Sequence, residues 1–181
     1  MDHRGRLLVA TPLIGDPTFA RTVVFLLAHS PEGAFGLVLN RPAASVVWDV
    51  VPDWYGPVTM PDMVFVGGPV SPDLLLGLAR APGADPPGFH RVLGELGTVE
   101  LEAPPPELLD GISHCRFFAG SAGWASGQLE DELAEGAWWT VDAGPFDVFT
   151  PDPETLWRTV LRRQGGDLAW YANYPEDPSD N

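Results

Sequence analysis

The sequence predicts a single α+β domain, and three observations predict it. Short runs rich in Val, Leu and Phe, bounded by Gly, Pro, Asp and Asn, have the composition of strands. Other segments place apolar residues at helical spacing, as Leu129 and Leu133 do, or Leu156, Trp157, Val160 and Leu161. A length of 181 residues with 45% hydrophobic content suits one core, and 20 Gly with 20 Pro predict frequent interruption of regular elements.

Taken in order, Arg6 to Thr11, Thr22 to Ala28 and Ala34 to Leu39 read as strands. Their nearly continuous apolar character predicts cover on both faces. Ser30-Pro31-Glu32-Gly33 links the second and third as an antiparallel hairpin, with Ala34 opposite His29 and Asn40 opposite Val23. Ser45 to Val51 reads as a short helix ended by Pro52, and Met63 to Val66 as a strand entering Gly67-Gly68-Pro69. Leu74 to Ala79 fits strand or helix, Pro82 to Gly88 is a loop, and Thr98 to Leu101 is a short strand. Helix is expected for Glu107 to Ile112 and Gln128 to Glu135, and strand for His114 to Ala119 and Trp138 to Val141. Asp152-Pro153-Glu154 has the cap and first-turn proline of a helix start, and Gly165-Gly166 ends that helix. The domain is expected to span residues 1–174, with an acidic, disordered tail over residues 175–181.

Composition excludes several chemistries. All ten basic residues are arginine, so a Walker-type phosphate loop, a pyridoxal Schiff base, a kinase lysine and a Ser/Lys dyad have no amine to use. A net charge of −15 disfavours direct nucleic-acid binding and suits a basic protein partner. Arg158, Arg162 and Arg163 lie where cations complement a helix C-terminus. Cys115 is the single cysteine, which excludes an internal disulfide and fits a reducing cytoplasm. The four histidines lack two-ligand helical spacing, so neither a metal nor a cofactor is expected. No apolar stretch reaches membrane-spanning length, so no membrane insertion is expected.

Two groups of residues are candidates for binding a ligand or partner. Asp16, Arg21, Asn40 and Arg41 gather at one end of the hairpin, with Gly67 and Gly68 as possible backbone donors. The same residue types also fix strand ends. The second group is Trp124 with Gln128 and Glu132, which share a helix face four residues apart. Here Trp124 is either an aromatic wall or core. His29 is a potential proton carrier beside a loop, without a carboxylate or nucleophile partner recognisable in sequence. Ala119-Gly120-Ser121-Ala122-Gly123 imitates the nucleophile elbow of serine hydrolases, but no histidine follows His114, and Trp124 to Gly127 delays the helix. Catalysis by Ser121 would need His29, His90 or His114 in another arrangement.

The blocks LLVATP, DPTFARTVVFLLAH and GAFGLVLNRP, then VFVGGPV from Val64 to Val70, then FFAGSAGWASGQLEDEL from Phe117 to Leu133, resemble the YqgE/AlgH family in order and spacing. The resemblance runs from about Gly5 through the segment carrying Trp157. It implies a cytoplasmic bacterial α+β protein whose mixed, bifurcated sheet closes partly into a barrel and is flanked by helices. It implies no reaction, and a regulatory role only by association. Two departures qualify it: Ser71 to Leu78 replaces the family's usual Arg-Gly-Phe segment and histidine, and Ser121 stands where tyrosine is common. The first expectation is therefore a noncatalytic binding or regulatory protein with a protein or small-molecule partner. The alternatives are a small hydrolase using Ser121 or a His/carboxylate pair, and a transcriptional regulator.

Overall fold

A computed structural model describes residues 2–176. Its strands are β1 (Arg6–Ala10), β2 (Val23–Ser30), β3 (Gly33–Val38), β4 (Pro42–Val46), β5 (Met63–Val66), β6 (Val70–Arg80), β7 (Phe89–Leu93), β8 (Leu96–Val99), β9 (His114–Ala125) and β10 (Trp138–Asp142). The helices are α1 (Val47–Val50), α2 (Pro106–Gly111), α3 (Gln128–Ala134), α4 (Leu156–Gln164) and α5 (Gly166–Tyr171). The main sheet runs β10-β1-β2-β3-β9-β6-β8-β7, and the β4/β5 pair branches from β9. Only β5 and β9 pair in parallel among the described strands. The mixed, bifurcated sheet curls into a half-barrel flanked by the helices.

Alternation explains why the first strands look apolar throughout. Leu7 and Val9 of β1, with Val23, Phe25 and Leu27 of β2, face a cluster closed by Leu156, Trp157, Val160 and Leu161 of α4. Leu8 and Ala10, with Val24 and Leu26, face the opposite way into a cluster with Trp124, Leu129 and Trp138. Both faces are covered, as expected of continuous apolar runs. A further cluster places Trp54 and Leu108 against Cys115 and Phe117 of β9.

The hairpin forms with His29 opposite Ala34, and Ser30 paired with Gly33 leaves Pro31-Glu32 as the turn. A bulge between Leu26 and Ala28 then shifts the register, so Val24 faces Val38 and the Leu39 N–H donates to the Val23 carbonyl. Asn40 therefore lies one position beyond Val23 rather than opposite it. The extra residue, Leu27, is invisible to apolar periodicity because its neighbours are apolar too.

Several other elements differ from the sequence reading. β9 continues six residues past Ala119, because Val70 pairs with Ser121 and β3 pairs with Ala122 through Ala125. The segment beginning at Leu74 is a strand, and it starts earlier, at Val70. The β7/β8 hairpin includes Phe89–Leu93, which alternation alone did not single out. β4 also escaped that reading, since its pairing with β5 is interrupted. The last long helix starts at Leu156, after a turn in which the Leu156 N–H donates to the Pro153 carbonyl, so Asp152 does not cap it. α5 follows directly after Gly165. Of the tail expected over residues 175–181, residues 177–181 lie outside the described residues. No helix among the described residues is long and apolar enough to cross a membrane.

Candidate functional site

The strand-end residues do gather, but their polar atoms hold the backbone. Asn40 Oδ1 accepts from the Val23 N–H at 2.9 Å, and its Nδ2 donates to the Arg21 carbonyl at 2.8 Å. Arg41 donates to the carbonyls of Pro17 and Ala20. Asp16 Oδ1 accepts from the Thr18 N–H at 2.9 Å and shapes the turn. Arg21 turns elsewhere, with its guanidinium 4.6 Å from the Trp157 ring centroid and donating to the Tyr174 carbonyl.

Gly67 and Gly68 serve close packing. The Gly67 N–H donates to the Ala119 carbonyl, and its own carbonyl accepts from the Val38 N–H. A Cβ on Gly67 would overlap the Gly120 carbonyl oxygen, and one on Gly68 the Ser121 carbonyl oxygen. Gly68 also has φ +150°, a conformation that favours glycine. These two residues pack the β5 exit onto β9, and the Gly67 donor is spent on the Ala119 carbonyl rather than turned toward Asp16 and Arg41.

The second predicted group assembles around one carboxylate. Gln128 and Glu132 lie one turn apart on α3, so the Gln128 amide donates to Glu132 Oε1 at 2.9 Å while its oxygen accepts from the Ala125 N–H at 3.0 Å. Glu132 Oε2 accepts from two indoles, Trp124 Nε1 and Trp138 Nε1, each at 2.8 Å. Trp124 comes from β9 and Trp138 from β10, so α3 bridges strands that are far apart in the sheet order. The two indoles meet edge to face, with centroids 6.0 Å apart at 79°, and Phe19 meets Trp138 edge-on at 5.7 Å. A cleft of about 210 Å³ opens here, lined by Asp16, Phe19, Trp124, Gln128, Glu132 and Trp138 among others.

Trp124 is thus both core and wall: the ring is buried, yet it borders the cleft. Sequence reasoning found Gln128 and Glu132 through helical spacing, and Trp124 as an aromatic residue just before that helix. It missed Trp138 and Phe19, whose role depends on the β1/β10 pairing that carries Trp138 beside Trp124.

His29 has a partner that the sequence did not reveal. Its Nδ1 accepts from the His3 N–H at 3.0 Å, which places the proton on Nε2, and Nε2 donates to Glu130 at 2.8 Å. Both ring nitrogens are occupied. Burial, then the neighbouring His29 and Arg6, holds the His3 imidazole below its ordinary range. His90 reaches Glu100 at 3.6 Å, and His114 hydrogen-bonds Ser113 at 2.9 Å.

Ser121 lies inside continuous β9, opposite Val70 rather than on a strand-to-helix elbow. Among the described residues no imidazole hydrogen-bonds it. His114 is at the other end of the same strand, roughly 23 Å away at about 3.3 Å per residue. Two of the three arginines of α4 are charge-paired, Arg163 with Asp147 and Arg158 with Glu176, while Arg162 donates to the neutral Asn173.

The geometry agrees with comparisons to known proteins. The AlgH-like family model matches residues 7–169. The chain is similar to a UPF0301 protein of Streptomyces coelicolor, 55% identical over 98% of this chain and 94% of the relative. A Thermobifida fusca UPF0301 protein is 44% identical over the same shares. The crystal structure of a Corynebacterium diphtheriae protein superposes with a TM-score of 0.87 at 34% identity, covering 95% of this chain and 92% of the other. The solution structure of AlgH from Pseudomonas aeruginosa gives 0.69 at 28% identity, covering 98% and 96%. In sequence over nearly its whole length and in the fold that sequence adopts, the chain belongs to the AlgH-like family.

Proposed function

We propose that this protein is a noncatalytic binding module whose ligand or partner group enters the cleft between α3, β9 and β10. The UPF0301 designation of the relatives names no reaction. The observation that carries the reading is Glu132, fixed by two indole N–H groups and an amide at the wall of an open cleft. Holding a carboxylate in a set position beside aromatic rings is preorganisation for recognition. The strand-end rim supports binding less well, because Asn40 and Arg41 direct their polar atoms at backbone.

Hydrolysis has weaker support. Ser121 lacks a base among the described residues, and the His29/Glu130 pair has no nitrogen left for a substrate proton. Regulation by direct contact with duplex DNA is opposed by the net charge of −15 and by the charge pairing of Arg158 and Arg163 on α4. A cytoplasmic setting belongs to the same reading, supported by the free, buried Cys115.

The test is a nuclear magnetic resonance titration of the isotope-labelled protein with a fragment set containing cations, anions and neutral molecules. The expected result is that at least one class moves the indole N–H signals of Trp124 and Trp138 saturably while that of buried Trp54 stays fixed. Absence of any saturable response at those two indoles overturns the reading.

A further inference from the structure

The charge and hydrogen-bonding state of the cleft select a class of ligand, an inference that rests on the binding reading above. A carboxylate has about four acceptor positions, and three of those on Glu132 are filled by Trp124, Trp138 and Gln128. All three donors are neutral. The carboxylate is therefore fixed without a compensating cation, while most of its capacity for further hydrogen bonds is used. Asp16 brings a second carboxylate to the same lining. Among the described residues, no arginine or histidine lies within ion-pair distance of either group.

The rest of the lining is aromatic and apolar. Phe19 stands 6.5 Å from Trp124 and 5.7 Å from Trp138, with Ile14 and Ala137 alongside. Aromatic rings attract cations through their quadrupoles, and the attraction grows where water is excluded. An anion would meet two uncompensated carboxylates. A primary ammonium carries three donors, and Glu132 offers it a single free acceptor position, so its other donors would have to turn to Asp16. An alkylated ammonium needs only opposite charge and an apolar wall, and both are present.

We propose that this cleft binds a tertiary or quaternary ammonium group, with Glu132 and Asp16 as counter-charges and Phe19, Trp124 and Trp138 as the wall. A volume of about 210 Å³ falls below the ~300–1,000 Å³ usual for pockets that enclose a whole small molecule. The cleft therefore takes the head group, and the remainder of the ligand lies outside. That head group belongs either to a free small molecule or to an alkylated side chain of a protein.

The test titrates the full chain with choline, with choline's uncharged carbon isostere, and with an amide-blocked trimethyllysine, following the Trp124 and Trp138 indole signals. Choline is expected to shift both saturably, with the isostere about tenfold weaker or worse. Tighter binding of the blocked trimethyllysine assigns the head group to a protein side chain, and tighter choline binding assigns it to a small molecule. Glu132→Gln is expected to weaken choline about tenfold. Asp16→Asn keeps the acceptor for Thr18 and provides a second variant if the first fails to fold, with an expected loss of about threefold. Equal binding of the isostere, or unchanged choline affinity in the folded variants, overturns the ammonium assignment. If anionic or neutral fragments move the two indoles and choline does not, the assignment fails while the binding reading stands. If nothing moves them, both fail.

Discussion

Asn40 shows how a residue that looks like a ligand contact acts as a structural tie. It satisfies one backbone donor and one backbone acceptor across the strand end. Asn40→Ala strands both groups, so a loss of roughly 1–3 kcal/mol in urea unfolding is expected, with the cleft response unchanged. Full stability with a lost response would instead make the strand end a site. Arg116 is a second case, which the sequence did not single out. It is almost fully buried, and its guanidinium donates to the carbonyls of Met60, Val148 and Thr150 at 2.8–3.1 Å while lying 4.4 Å from the Phe65 ring centroid. Burial pushes its pKa down to about 10. Arg116→Met should cost about 3 kcal/mol or more, since three carbonyls lose their donors. Arg116→Lys should recover little, because one ammonium cannot reproduce the planar fork. Urea midpoints of the two variants check this.

At the scale of elements, the contact of the β5 exit with β9 is the most sensitive. Gly68→Ala places a side chain on a left-handed backbone and against the Ser121 carbonyl. Strain alone is worth about 1–3 kcal/mol, so a clear fall in thermal midpoint is expected. Gly83, where a Cβ meets nothing within 4 Å, is the control. Gly83→Ala should stay within about 0.5 kcal/mol of the parent. The strands with strong composition, β1, β2, β3, β5 and β10, were legible in sequence because Val, Leu and Phe between turn residues leave few alternatives. β7 and the second half of β9 were not. His90 and Arg91 dilute the apolar signal of β7, and Gly120 to Gly123 resemble a strand-to-helix elbow until Val70 pairs with Ser121 and β3 with Ala122 and Gly123.

For the whole molecule, charge and burial set the response to acid. Burial holds the imidazoles of His3 and His114 below their ordinary value of 6.5, helped at His3 by His29 and Arg6 and at His114 by Arg80 and Arg116. The unfolded chain therefore takes up these protons first. The contribution of the two imidazoles to stability is complete above about pH 6.5 and is lost as pH falls through the lower folded values. Glu32 and Glu130 have lowered pKa values, through the Ser30 hydroxyl at Glu32 and through the backbone N–H and His29 at Glu130. Their contribution is present above the ordinary value of 4.5 and is lost as pH falls through the lower folded values. A plot of urea midpoint against pH should thus decline in two stages. His3→Gln with His114→Gln should flatten the upper stage alone.

The sequence by itself determined the family, the principal strands and the pairing of Gln128 with Glu132, because turn residues, apolar runs and helical spacing are local properties of a chain. It also excluded lysine-dependent chemistry outright. Only the tertiary structure decided what the polar groups do. Asn40 and Arg41 became backbone ties because the strand ends needed those hydrogen bonds, and His29 met Glu130 from 101 residues away. Trp124 and Trp138 came to share one carboxylate because β1 pairs with β10 while α3 crosses from β9. That convergence depends on long-range strand order, which no local pattern of residues encodes.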